Sequence, residues 1–319
     1  MQFIRTLNSL TRHSTNFLFK SRDIDRNLLS SAYFASTSEK QESNCFIRTM
    51  NPQDFQIISE WGNEFDWNSC PKDAEPFLAL DPNGFFVAEV DGKPVASMIA
   101  VKYDDEYNHS GNWIVSKQFR GHGYGAIMYD HTMSYAHRSK IVGMDAVEHK
   151  VPAYKKHGFE VFCKSPTYTK KAQGVLKETV TDLHNLPFKD LEEYDLATFG
   201  YSRKNFLKGL LGVGKYYALG VVQEGKLKGY GVLRNGFIGY KVGPLMADTP
   251  EIADDILEGL QSFILGKEVY VEFLESNKNM VAVLEKQNWN YFSHLFRMFC
   301  GGVPKTDVQR TYAVLCDIG

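Results

Sequence analysis

From Phe46 onward the chain alternates short apolar runs with amphipathic stretches, each bounded by Gly, Pro, Asn or Asp. Asn51-Pro52 reads as a helix start with Pro at the first helical position, and Phe55, Ile58 and Trp61 follow at helical spacing. Apolar runs at 85–90 and 95–101 flank Asp91-Gly92, the signal of a hairpin. The polar stretch 102–111 reads as a connection, and Trp113-Ile114-Val115 as a short strand. That strand leads into Gln118-Phe119-Arg120-Gly121-His122-Gly123-Tyr124-Gly125. A helix is expected over 126–138, a strand over 141–147, a short helix over 151–157 stopped by Gly158, and a strand over 159–162.

A polar stretch, 165–177, then reads as a linker. Beyond it the order repeats. Strands are expected at 216–222 and 229–233 around Glu224-Gly225, and at 237–242 after Asn235-Gly236. Thr249-Pro250 can start a helix with Ile252, Ile256, Leu260 and Ile264 on its buried face. A strand at 269–274, a helix at 279–286 and a strand at 292–299 complete a series matching the first half. Order of elements thus points to an internal duplication. The division expected is an N-terminal targeting or disordered segment over 1–44, a catalytic domain over 45–164, a linker over 165–177 and a degenerate copy over 178–319. The fold class is α/β, with an α+β-type mixed sheet in each domain.

With 36 basic and 38 acidic residues in 319, the net charge of −2 gives no global attraction for nucleic acid or an anionic membrane. No stretch of about 18 apolar residues is present, so no membrane-spanning helix is expected. Five scattered cysteines form no C-x-x-C pair, so neither a disulfide framework nor a metal site is expected. The first 22 residues carry Arg5, Arg12, Lys20 and Arg22 and no acid, with Phe3, Leu7, Leu10 and Phe17 able to share a helix face. This is the pattern of a mitochondrial presequence, the alternative being a basic tail on a cytoplasmic protein.

The chemistry centres on residues 120–125. A helix N-terminus offers unpaired amides and partial positive charge, and glycines let a phosphate approach the main chain. Gly121, Gly123 and Gly125 alternate between a strand and a helix, which describes a diphosphate cradle. Gly121-x-Gly123-x-x-Ala126 also fits a dinucleotide fingerprint, with Asp145 about 20 residues on as its acid. Against that stand the antiparallel hairpin before the loop and Arg120 ahead of the first glycine. A Walker loop is excluded, because no Gly-Lys-Ser/Thr follows.

Arg120-x-x-Gly123-x-Gly125 resembles the R/Q-x-x-G-x-G/A signature of the GNAT superfamily of N-acetyltransferases. Ala153-Tyr154-Lys155-Lys156-His157-Gly158-Phe159 resembles that family's later Tyr-x-x-x-Gly-Phe segment, and the likeness spans roughly 46–162. Gly229-Tyr230-Gly231-Val232-Leu233-Arg234 and Gly243-Pro244-Leu245 are similar to the C-terminal domain of YitH-like acetyltransferases. The resemblance implies acetyl-CoA or another acyl-CoA as co-substrate, with a small amine or amino acid as acceptor. It implies that Ile114 and Val115 offer backbone groups to the pantetheine arm, and that amides of Arg120, Gly121, His122, Gly123, Tyr124 and Gly125 hold the pyrophosphate. It also places Tyr154 near the sulfur.

Direct attack by the amine needs no enzyme nucleophile, so Cys163 is read as a small buried hydrophobe. A phenol can protonate the leaving thiolate, which makes Tyr154 the acid. Glu148 and His149 are candidates for the base. Glu89, Asp104, Asp105 and Glu106 are weaker candidates, and His122 either meets phosphate or is exposed. The second half lacks an R-x-x-G-x-G, Pro244 has no N–H to donate, and Leu284 stands near where a tyrosine would match Tyr154. It is therefore expected to pack beside the first half and shape the acceptor pocket. The alternatives are a CoA-binding module without activity and a nicotinamide-dependent oxidoreductase.

Overall fold

Asn51 starts the first helix with its own side chain. Its Oδ1 accepts from the amides of Gln53 and Asp54, and the Asp54 carboxylate accepts from the Asn51 amide. The computed structural model describes residues 45–213 and 216–319. The segment 1–44, with its expected targeting role, lies outside the described residues.

The first half runs β1 (Cys45–Thr49), α1 (Pro52–Asn63), α2 (Ala74–Leu80), β2 (Phe85–Val90), β3 (Lys93–Lys102), β4 (Tyr107–Val115), α3 (Tyr124–Ala136), β5 (Ile141–Ala146), α4 (Val151–Lys156) and β6 (Glu160–Lys171). The second runs β7 (Val180–Asp182), α5 (Phe188–Phe199), α6 (Lys204–Gly212), β8 (Tyr217–Gln223), β9 (Lys226–Asn235), β10 (Tyr240–Ala247), α7 (Pro250–Ser262), β11 (Glu268–Glu272), α8 (Lys278–Lys286), β12 (Asn290–Cys300) and β13 (Thr311–Ala313).

Among the described residues these strands form one sheet, in the order β1-β2-β3-β4-β5-β12-β6-β11-β10-β9-β8-β7, with β13 on β10. β1 to β4 are antiparallel, β5 joins β4 in parallel, and the next neighbour is antiparallel. The same pattern holds from β7 through β11 to β6. The two halves have exchanged their last strands. β12, from the second half, lies against β5, and β6, from the first half, lies against β11.

This exchange corrects the expected linker. Residues 165–171 belong to β6 and are hydrogen-bonded on both sides, to β11 and β12. Their polar side chains read as loop because both partner strands lie about 100 residues or more away in sequence. Two further expectations shift. β4 begins at Tyr107, inside the stretch expected as a connection, because Asn108, His109 and Ser110 are buried in spite of their polarity. β10 runs to Ala247 through Gly243-Pro244 instead of ending at Val242. Helices α2, α5 and α6 occupy stretches given no element by sequence.

The described residues form one compact unit. One hydrophobic core joins Phe55, Phe77 and Phe85 of the first half to Phe199, Phe206 and Tyr230 of the second. Within it Arg203 is 1% exposed, its guanidinium donating to Asp195, which also accepts from Tyr230. Breaking a buried pair from one side leaves the other charge uncompensated. Asp195→Ala should therefore lower stability by about 3–5 kcal/mol. Urea unfolding checks this, and a loss under about 1 kcal/mol would contradict it.

Candidate active site

β4 and β5 pair in parallel from Tyr107↔Ile141 to Ser110↔Met144 and then part. β4 carries a bulge at this point, where the register against β3 slips between Ser97 and Ile99 and Asn112 takes φ +49°. The result is a wedge between Trp113-Ile114-Val115 on one strand and the end of β5 on the other. Ile114 is buried toward the α1–α2 face, while Trp113 and Val115 pack toward α3.

The glycine loop closes one side of the wedge. Gly121 and Gly123 sit at φ +80° and +87°, a region that disfavours side chains, and a Cβ at either would touch nothing within 4 Å. Among the described residues nothing fills the space that a side chain at either would take. Gly123, the N-cap of α3, has no side chain with which to cap it. Gly125 is needed for another reason: a Cβ there would lie 3.2 Å from Val115 Cγ2, and Trp113 Nε1 donates to its carbonyl at 3.1 Å. Arg120 points away from the helix. Its Nε donates to the Val115 carbonyl at 3.0 Å and it pairs with Glu64 at 3.3 Å. It pins the loop to the end of β4. His122 is exposed, its Nδ1 3.0 Å from the Arg120 carbonyl, while Tyr124 is buried with its ring stacked near His122.

Tyr154, on α4, lies 6.2 Å from Trp113 and 6.1 Å from Phe159, ring to ring. Burial pushes its phenol up to about 12, so it stays protonated as a hydrogen-bond donor. Glu148 and His149 occupy a single exposed turn after β5. The weaker candidates are used structurally or exposed. Glu89 accepts from Arg48, Asp104 accepts from the Glu106 and Tyr107 amides, and Asp105 is an exposed partner of Lys102. Cys163 is half-buried and accepts from Ser276 Oγ.

A set of buried polar groups went unrecognised in the sequence. Asp145 takes Arg297 Nε at 2.8 Å across β5 and β12, which removes it from any role as the acid of a dinucleotide fingerprint. His109 lies 3.6 Å from the same carboxylate, with Tyr107 Oη 2.9 Å from Nδ1 and the Cys316 carbonyl 3.1 Å from Nε2. Further along the sheet stand Glu272, Lys241 and the buried pair of Arg234 with Asp73. The only signal in sequence was alternation within the strands, since Arg297, Arg234 and Cys316 lie 152, 161 and 207 residues from their partners.

The second half has the same wedge, filled. β10 and β11 pair only from Tyr240↔Val269 to Val242↔Val271, and β13 covers the end of β10 through Leu245↔Ala313 and Met246↔Thr311. At the following helix Thr249 accepts from the Ile252 amide, so α7 caps itself. Among the described residues there is no cluster of three metal-ligating side chains, and no helix is long and apolar enough to cross a membrane.

Comparison with known proteins agrees with this geometry. Residues 52–159 match the acetyltransferase (GNAT) family and residues 191–313 match an acetyltransferase (GNAT) domain. The chain belongs to the GNAT acetyltransferases, as a tandem of two such domains, and is an acyltransferase. It is 27% identical over 272 residues to holothin acyltransferase of Pseudoalteromonas sp. (strain SANK 73390), covering 82% of this chain and 90% of that protein. It is 29% identical over 155 residues to the uncharacterized N-acetyltransferase YitH of Bacillus subtilis (strain 168), covering 46% of this chain and 54% of that one. In fold it is similar to a putative acetyltransferase from Pyrococcus horikoshii, with a TM-score of 0.73, 21% identity and coverage of 89% and 100%. A tandem GNAT protein from the clavulanic acid biosynthesis pathway gives a TM-score of 0.57 at 13% identity, covering 82% of this chain and all of that one.

Burial lowers the pKa of His109 below the ordinary imidazole range, so the fold holds it neutral. Its contribution to stability is present above about pH 6.5, the unfolded value, and is lost as pH falls through the folded value. Urea midpoints measured between about pH 7.5 and 5 should fall for the native protein and fall less for His109→Gln. Equal slopes would contradict the assignment.

Proposed function

We propose that the first half transfers an acetyl group from acetyl-CoA to a small amine or amino acid by direct attack in a ternary complex. The observation that carries this is the wedge past Ser110↔Met144, open between β4 and β5 and flanked by the glycine loop and Tyr154. Backbone groups of Ile114 and Val115 would hold the pantetheine arm. Amides of Arg120, Gly121, His122, Gly123, Tyr124 and Gly125 would hold the pyrophosphate. The thioester carbonyl then lies at the bulge of β4, where an amine can reach it from the α1–α2 face. Tyr154, held protonated by burial, gives its proton to the departing thiolate. Glu148 and His149, being exposed, are suited to passing protons to solvent. The acid-free basic run 1–22 supports action in mitochondria.

Thermal unfolding of the full chain tests the donor. Acetyl-CoA or CoA at about 100 times its dissociation constant should add roughly 2.7 kcal/mol, and NADH should add nothing. Tyr154→Phe should slow turnover about a hundredfold while acetyl-CoA binds as before. Stabilisation by NADH alone would overturn the donor, and unslowed turnover would remove Tyr154 as the acid.

A further inference from the structure

The loop between α1 and α2 has two limbs, and the second half holds one of them. Asn68 Nδ2 donates to the Ile238 carbonyl at 2.8 Å, and the Ile238 amide donates to Asn68 Oδ1 at 2.8 Å. The Phe237 amide donates to the Ser69 carbonyl at 3.1 Å, and Lys241 Nζ reaches the Trp67 carbonyl at 3.4 Å. Where the loop ends, Tyr216 Oη donates to Asp73 at 2.8 Å, and Arg234 pairs with the same carboxylate. The turn between β9 and β10 thus binds residues 67–69 much as a neighbouring strand would, with the Asn68 amide standing in for a backbone pair. Gly236 lets the turn come this close, since a Cβ there would lie 2.5 Å from Asn68 Oδ1. Asn68 takes φ +47°, a region in which a short amide side chain is tolerated.

The other limb closes back on α1 and stands beside the wedge. The amides of Phe65 and Trp67 donate to the Gly62 carbonyl at 3.0 and 3.2 Å. Arg120, whose Nε holds the Val115 carbonyl at 3.0 Å, pairs with Glu64 at 3.3 Å and sets its guanidinium 5.1 Å from the centre of the Phe65 ring. One side chain therefore joins the end of β4 to Phe65. The Phe65 and Trp67 rings lie 5.4 Å apart, and Trp67 packs on the core that takes Ile114. Phe65 itself is 44% exposed. An exposed ring is ordinary by itself. This one touches an arginine of the glycine loop, on the face from which the amine arrives.

We propose that Asn68 is a positioning residue for the acceptor: through it the second half fixes the loop whose Phe65 ring, backed by Trp67, receives the apolar group of the amine. The proposal rests on the acyl-transfer reading above. The substrate class it names is a primary amine with an aromatic substituent, since a ring laid offset or edge-on against Phe65 gains contact that a hydroxyl or a short chain does not. Asn68 is 8% exposed and its amide is engaged by Ile238, so it acts through the rings and not on the amine. The rings belong to the first half, yet the turn that fixes them lies 170 residues away. The second half then bears on acceptor choice without offering a group to the reaction.

Two substitutions, one in each half, break the same contact. Asn68→Gly removes the amide and keeps the positive φ, and Gly236→Ala drives a Cβ against that amide. With phenethylamine as the acceptor probe, each should raise KM about tenfold with kcat within about twofold, and the two together no more than either alone. With ethanolamine, which has no ring, KM should stay within about twofold. A loss that falls on kcat, that is equal for the two amines, or that adds in the double variant overturns the positioning role. So does native turnover that prefers ethanolamine or uses neither amine. Hydrogen exchange of the full chain gives a readout apart from turnover. Phenethylamine should slow exchange at the Phe65 and Trp67 amides of the native protein and not of Asn68→Gly, and ethanolamine should slow it in neither. Exchange in the native protein that phenethylamine leaves unchanged overturns the acceptor surface. The exchange is read with and without acetyl-CoA, so failure to bind acetyl-CoA strikes the donor assignment alone.

Discussion

The exchange of β6 and β12 between the halves is the constraint on which the rest depends. Each half builds a ladder of five strands and lacks the sixth, and each receives it from the other. β12 closes the wedge-bearing sheet beside β5, and its Arg297 neutralises Asp145 where β4 and β5 part. The first half's site therefore includes a side chain from near the end of the second. A shared apolar core and the Asp73–Arg234 pair reinforce the union, so the seam between the halves is interior and not a hinge.

Within that frame the two copies differ at the junction between the fourth strand of each and the helix that follows it. In the first, a Cβ on Gly121 or Gly123 would meet nothing within 4 Å among the described residues, and β4 and β5 stop pairing past Ser110↔Met144. In the second, β13 occupies the separation and Thr249 satisfies the helix start. A backbone donor already bonded to a side chain has little to offer a phosphate. The second half keeps the fold and supplies β12, with Arg297 bonded to Asp145, to the sheet of the first.

What the sequence made legible was local. Caps at Asn51 and Thr249, the hairpin turns and the glycine loop all act within a few residues, and the structure has them where they were expected. The family motifs were legible for the same reason, being short and contiguous. The buried polar row was not. Asn108, His109 and Ser110 read as loop because polarity signals solvent unless a partner is known, and the partner of His109 is a carbonyl 207 residues away. Residues 165–171 read as linker on the same grounds, and their neighbours β11 and β12 are likewise distant in sequence. Strand exchange leaves hydrophobic periodicity unchanged, so no pattern within either half could reveal it.

The central claim is that one copy of the duplicated fold binds acyl-CoA and the other has lost that capacity while completing the site. Calorimetric titration of the full chain with acetyl-CoA tests it most directly. The account predicts one site per chain, lost when Gly123 is replaced by Val, whose side chain would fill the space before α3. Two sites per chain, or none, would contradict it.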